Sequence, residues 1–537
     1  MVRTSLLCGL LVALAYVALS LPGVNSNVDF TYMSVGAALL SDGQLPATPY
    51  FPPGYPALLW LLLQSGATAL TAGALLSALG IGMLSGAITY VARLWNIPPA
   101  PALMLGLLAA TMPSMLLVGV NPHLDALYAG LGAVLLACAM RAFSKPPSAW
   151  VYFGALLCAA LMLSLRYHAA LVIVPLALVL TFSRAKGVRT LGVTVLLLGV
   201  AAIAASLSAL HSVTGSTRTA ALDQVRTGSA YRELKSEAAM SAEVYDDYAG
   251  WLKRWPQANG GMVVEGIIAN WPNYLTRKSI IAGAALWLFA WLIRRRETPG
   301  AIWLLLFIAG YTLAISPTYY ITRASVLPEA AGIMLGVAGI SALLFPSEAK
   351  ALRRKQIRID PMLAGAAVCL LAVAGLGYNV WREVPIMQLH YAHARLYREV
   401  NAEALKLVGG SRRYLYGVVH STGIYGSGKF NLPGTTWSRL WMDDPAVAPL
   451  VDPYLPKQGY KEVLAGKSNA TAIVIWRTDV SRPSIELESA LRRSEVWEEV
   501  DLKTDQARLW RRRMSGVREQ DAVKGDEAEE SETHRAQ

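Results

Sequence analysis

Acidic side chains are nearly missing from the first 222 residues of this 537-residue chain, where Asp29, Asp42 and Asp125 are the only carboxylates. An ionisable group beside hydrocarbon is costly to keep unless something uses or pairs it, so this scarcity marks Asp29 and Asp125 as candidates for chemistry. Cysteine is scarce too. The four thiols, Cys8, Cys138, Cys158 and Cys369, lie inside apolar runs without metal-ligand spacing, which implies no disulfide framework and leaves them as small core residues. Charged residues make up only 16% of the chain, and no internal repeat is visible.

Apolar sequence fills the space that charge leaves. The chain is 54% hydrophobic with a mean hydropathy of +0.39, which excludes a soluble enzyme with a single anchor. Runs of about 20 apolar residues, each long enough to cross a bilayer core, recur from Leu6 to Val380. They give about eleven spans, at roughly 5–22, 67–92, 100–119, 124–142, 149–165, 168–183, 190–211, 278–293, 299–316, 327–346 and 361–380. The stretch from Tyr55 to Leu63 is too short to cross and reads as a helix lying at the interface.

Basic residues orient these spans, because cytoplasmic loops carry excess Lys and Arg. Arg3, Arg93, Arg141 with Lys145, Arg184 with Lys186 and Arg189, Arg294 to Arg296, and Lys350 to Arg358 all fall on one side. That side is expected to be the cytoplasm, with the N-terminus inside, the C-terminus outside, and the first span an uncleaved signal anchor. Topology thus accounts for most of the net charge of +12, and no nucleic-acid partner is implied.

The expected organisation is a polytopic α-helical membrane domain over residues 1–381, with outer loops at 22–56 and 212–277. A C-terminal extracytoplasmic α/β domain follows over 382–514. In it, residues 387–408 have helical spacing, while Tyr414 to Val419 and Thr471 to Trp476 read as short buried strands. From Ser515 to the end at 537 the chain is polar and lacks aromatics, the composition of a disordered tail.

The first outer loop carries the most specific pattern: Asn27, Val28, Asp29, Phe30, Thr31, Tyr32, then Gly43, then Tyr50, Phe51, Pro52, Pro53, Gly54, Tyr55, Pro56. Here the chain resembles the GT-C superfamily of membrane glycosyltransferases, in particular the bacterial branch near the aminoarabinose transferases and protein O-mannosyltransferases. An acidic residue after the first span, a Tyr three positions on, and a Pro-Pro-Gly-Tyr-Pro segment form that family's opening. Asn121 to Tyr128, with His123 and Asp125, looks like its second acidic motif. Leu165 with Arg166 looks like its basic residue between two spans, and Arg323 to Pro328 resembles its Arg-Tyr-x-x-x-Pro region, with Ala324 in place of the aromatic. The topology drawn from other residues independently puts Asp29, Asp125, Arg166 and Arg323 on one outer face. Arg166 and Arg323 there run against the positive-inside tendency, which an anionic ligand would explain.

The resemblance implies transfer of a sugar from a polyprenyl-phosphate donor to a hydroxyl of an envelope glycan, glycolipid or protein, with inversion and no covalent sugar on the enzyme. Such a reaction needs a base for the hydroxyl proton and cations for the departing phosphate. Asp29 is the expected base, Arg166 and Arg323 the expected phosphate ligands, and Tyr32, Tyr55 and His123 the expected substrate contacts. Asp125 has three roles open: orienting the acceptor, pairing with an arginine, or helping to hold a divalent cation. No metal site is assigned, and a divalent cation is the one cofactor left open. The expected location is a bacterial inner membrane. A lipid-linked saccharide transporter or flippase, and a non-catalytic scaffold, are the rival classes; a transporter should carry charged or broken-helix sites near the bilayer middle.

Overall fold

The computed structural model of the chain describes residues 1–22, 52–145, 147–182, 186–214, 248–294, 300–317, 322–345, 360–408, 414–418, 470–476, 488–489, 491–501 and 507–513, with isolated positions between 33 and 45. The backbone divides into two units, Met1–Arg398 with Met442–Pro449, and Glu399–Trp441 with Leu450–Gln537.

The first unit is helical. Its elements are α1 (Val2–Ser20), α2 (Gly54–Leu63), α3 (Ala69–Leu94), α4 (Pro99–Ala110), α5 (Pro113–Val120), α6 (Leu124–Ser144), α7 (Ala149–Leu165), α8 (Ala170–Thr181), α9 (Lys186–Thr214), α10 (Tyr248–Leu275), α11 (Lys278–Arg294), α12 (Ala301–Ile315), α13 (Val326–Leu344) and most of α14 (Pro361–Val408), whose last residues belong to the second unit. Among the described residues six helices are long and apolar enough to cross a membrane, or eight if each of two bent pairs is one crossing. The chain is thus a multi-pass membrane protein. α7 and α12, with 17 and 15 residues, reach only about 25 and 22 Å at 1.5 Å per residue, short of a bilayer core of about 30 Å.

The bent pairs depart from a reading of straight spans and loops. The run expected as one span over 100–119 is α4 followed by α5 at 69°. Pro113, which lacks an N–H, opens α5, a first-turn position that proline tolerates. The segment expected as an outer loop over 212–277 contains α10, which turns by 67° into α11. α14 is continuous through Pro385, past the composition change at Trp381.

At the centre of the helical unit α3 packs against α1 and α6, while α13 packs against α11. Small residues allow this closeness, since apolar side chains gain little by leaving lipid for one another. A Cβ on Gly80 of α3 would run into the backbone of Ala126 and Leu127 in α6. α3 and α6 are also the most buried of the long apolar helices together with α13, whereas α1, α9 and α14 leave most of their apolar surface outward, as lipid-facing helices do.

In the second unit, β1 (Tyr414–Val418), β2 (Ala470–Trp476), β3 (Trp497–Val500) and β4 (Ala507–Arg512) form one sheet in the order β1-β2-β4-β3. β1 and β2 are parallel; β2 with β4 and β4 with β3 are antiparallel. Leu491, Trp497, Leu509 and Trp510 are buried there. Glu498 faces Arg511 directly across the ladder, and their side chains meet at 2.6 Å.

Candidate active site

Asp125 sits in the first turn of α6, where a carboxylate complements the positive end of the helix dipole. The preceding residue but one, His123, caps α6 and is tied to α3: its N–H donates to Ser77 Oγ at 2.7 Å, and the Ser77 hydroxyl donates to the His123 carbonyl at 3.2 Å. The same α3 to α6 contact includes Gly80. The start of α6, and Asp125 with it, is therefore tied closely to α3.

Arg166 follows the last residue of α7 in extended conformation and precedes a 3-10 turn at Tyr167–Ala169. Its Nη2 meets Asp125 Oδ1 at 2.5 Å. Arg323 lies in a second 3-10 turn, Thr322–Ser325, which leads into α13. Its Nε is 3.5 Å from Asp125 Oδ2 and its Nη1 3.5 Å from His123 Nε2. His123 Nδ1 lies 3.3 Å from the same Oδ2. Asp125, Arg166 and His123 are all buried, and Arg323 is half-buried. One carboxylate thus faces two guanidiniums, leaving an excess of positive charge at a largely dry site before His123 is counted. Such an arrangement suits an anion with several oxygens, because guanidinium forks match phosphate geometry.

Tyr55 reaches this neighbourhood from α2. The Pro-Pro-Gly-Tyr-Pro segment lets α2 start against the end of α7, since a Cβ on Gly54 would overlap the backbone and hydroxyl of Ser164. Tyr55 is fully buried, and its hydroxyl meets no hydrogen-bond partner among the described residues. Burial pushes its phenol above the ordinary value, and the negative charge of Asp125 adds to the shift.

The structure therefore brings together four of the residues singled out in the sequence, Asp125, Arg166, Arg323 and His123, with Tyr55 close by. Asp29 and Tyr32 lie outside the described residues. Of the three roles left open for Asp125, the geometry displays pairing, with both arginines. A divalent cation does not fit the described side chains here: the carboxylate already faces two cations, and no group of three or more His, Cys, Asp and Glu is placed to hold a metal among the described residues.

Sequence reasoning missed Glu329, one residue past the Arg323 to Pro328 motif. It is buried in the first turn of α13 among the hydroxyls of Ser114, Ser279 and Ser325, with Arg277 3.7 Å away. The signal was available in Arg277 and Lys278, two cations at the outer end of an expected span, which call for a negative partner or ligand.

No family model matches the sequence, and no curated protein matches it. Among solved structures the chain is similar to ArnT from Cupriavidus metallidurans bound to undecaprenyl phosphate, at 14% identity and a TM-score of 0.52, covering 94% of this chain and 98% of that one. The apo state of that protein aligns at 14% identity and a TM-score of 0.50, over 94% of this chain and 96% of that one. The archaeal oligosaccharyltransferase AglB from Archaeoglobus fulgidus, in complex with an inhibitory peptide and a dolichol-phosphate, aligns at 13% identity and a TM-score of 0.46, over 95% of this chain and 75% of that one. At such identities the likeness is one of fold: over nearly its whole length the chain shares the fold of ArnT.

Proposed function

We propose that the protein is a membrane glycosyltransferase that moves a sugar from a polyprenyl-phosphate donor to a hydroxyl of an envelope glycan, lipid or protein. The observation that carries this reading is the meeting of Arg166 and Arg323 over Asp125, from two separate helix ends, in a GT-C fold. Two guanidiniums around one carboxylate suit a phosphate that gains charge as it departs.

In this reading the acceptor hydroxyl attacks the anomeric carbon and the bond from that carbon to the phosphate oxygen breaks with inversion. Polyprenyl phosphate leaves with the electron pair, and the hydroxyl proton passes to Asp29. Arg166 and Arg323 hold the phosphate. Asp125 keeps the two like charges together in the absence of ligand, and His123 stands between Asp125 and Arg323. The Tyr55 hydroxyl, buried and protonated, donates to the donor's sugar or phosphate; Tyr32 contacts substrate from the same loop as Asp29.

The topology that goes with it has about eleven spans over 1–381 in a bacterial inner membrane. The N-terminus is cytoplasmic, and the α/β domain of 382–514 is extracytoplasmic. The test is transfer itself: purified protein in detergent, a panel of radiolabelled polyprenyl-phosphate sugars and an envelope extract. Release of polyprenyl phosphate with labelling of an acceptor is the expected result; no release from any donor in the panel favours the transporter or scaffold classes.

A further inference from the structure

Glu329 accepts hydrogen bonds from three hydroxyls on three elements. Oε1 takes that of Ser325, at 2.5 Å; Oε2 takes those of Ser114 on α5 and Ser279 on α11, at 3.0 and 3.1 Å. Arg277 Nε, at the bend between α10 and α11, lies 3.7 Å from Oε1. A buried carboxylate is stable only when so compensated.

The Ser325 contact has a particular geometry. Ser325 is both the last residue of the 3-10 turn that carries Arg323 and the N-cap of α13, yet its side chain makes no capping hydrogen bond. A serine at that position ordinarily accepts from the helix's own N–H groups. Here its hydroxyl is turned to donate to Glu329. The contact is local, four residues along the start of α13, but the same carboxylate takes Ser114 of α5 and Ser279 of α11 on its other oxygen, so Ser325 is linked to both helices through Glu329, and the residue two places before Ser325 is Arg323.

We infer that Glu329 is a positioning residue for Arg323: it locks the Thr322–Ser325 turn to α5 and α11, and so holds the Arg323 guanidinium over Asp125. What Arg323 binds rests on the reading under Proposed function; where Arg323 is held does not. A small displacement there matters, because an error of about 1 Å in a positioned group costs on the order of 10² in rate.

The test compares Glu329→Ala and Ser325→Ala with wild type, each as the full chain in detergent. Ser325→Ala cuts only the link to the turn and leaves Glu329 its other partners, so it serves if Glu329→Ala does not fold. The first readout is phenylglyoxal modification of individual arginines, followed by peptide mass spectrometry. Both variants should speed the modification of Arg323 several-fold and leave Arg166, held from α7, at its wild-type rate. An unchanged Arg323 rate, or equal acceleration of both arginines, overturns the inference and leaves Glu329 as a general clamp of the bundle. The second readout is transfer from whichever polyprenyl-phosphate sugar the wild type accepts, where kcat/KM should fall by about 10- to 100-fold. Selective release of Arg323 in a protein whose wild type transfers nothing leaves the positioning role standing and removes the transferase reading.

Discussion

Arg166 Nη2 and Asp125 Oδ1 lie 2.5 Å apart although 41 residues of chain separate them, and both side chains are about nine-tenths buried. The pair joins the end of α7 to the start of α6, with Arg323 against the other carboxylate oxygen. Truncating Arg166 removes the shorter guanidinium contact but leaves Arg323 and His123 facing the carboxylate, so the loss should fall below the about 3–5 kcal/mol of a buried charge left wholly unpaired. Arg166→Ala should lower Tm in detergent and weaken binding of undecaprenyl phosphate together. Arg166→Lys should retain more of the stability, since a charge remains, but lose phosphate affinity by about tenfold because an ammonium has no fork. Full affinity in Arg166→Lys would show that the guanidinium does not touch the ligand.

Asp29→Asn separates chemistry from binding. Under the proposed mechanism Asp29 is the base for the acceptor hydroxyl, a role worth about 10² to 10⁴ in rate. The variant should bind undecaprenyl phosphate as wild type does while kcat falls by that factor. Equal kcat in the two proteins would make Asp29 a structural residue.

Tyr55 offers a pH prediction. Its phenol is raised first by burial and then by the charge of Asp125, so it stays protonated where an ordinary tyrosine, with a pKa of about 10, ionises. A group whose pKa lies above the assayed range adds no alkaline limb. The alkaline side of the kcat/KM profile should therefore be superimposable in wild type and Tyr55→Phe up to about pH 10. The level of the profile should nevertheless fall in the variant, because the proposed mechanism has this hydroxyl donate to the sugar donor. Disappearance of an alkaline limb in Tyr55→Phe would mean that Tyr55 titrates within that range.

Gly80→Ala tests the scaffold beneath the site. The added methyl would press on the α6 backbone at Ala126, beside Asp125, and overpacking of this kind costs about 1–3 kcal/mol. A lowered Tm with weakened phosphate binding is expected; an unchanged Tm would mean that α3 and α6 are not so closely joined in the membrane.

The helical, multi-pass character was legible because hydrocarbon demands long apolar runs, and runs of that kind dominate the sequence. Asp125, Arg166 and Arg323 were legible because each is charged at a helix end in a chain where charge is rare. The bends were not: Pro113 is as compatible with a straight span's loop as with a new helix at 69°, and periodicity carries no information on the angle between helices. α10 was hidden in a polar segment, where Met262, Val263, Ile267 and Ile268 make too short an apolar run to stand out. The role of Glu329 was hidden for another reason. Its partners Ser114 and Ser279 are 215 and 50 residues away in the chain, and serine in an apolar helix has no signature that distinguishes a donor to a carboxylate from a satisfied local hydroxyl.

The most direct measurement is a titration of the purified protein with undecaprenyl phosphate and, in parallel, with undecaprenol, for wild type and Arg323→Ala. The expected result is saturable binding of the phosphate by wild type, at least tenfold tighter than the alcohol and weakened about tenfold or more in Arg323→Ala, as the loss of a charge-assisted contact requires. Equal affinity for the two lipids, or phosphate binding indifferent to Arg323, would contradict the assignment of the Asp125, Arg166 and Arg323 cluster as the donor-phosphate site.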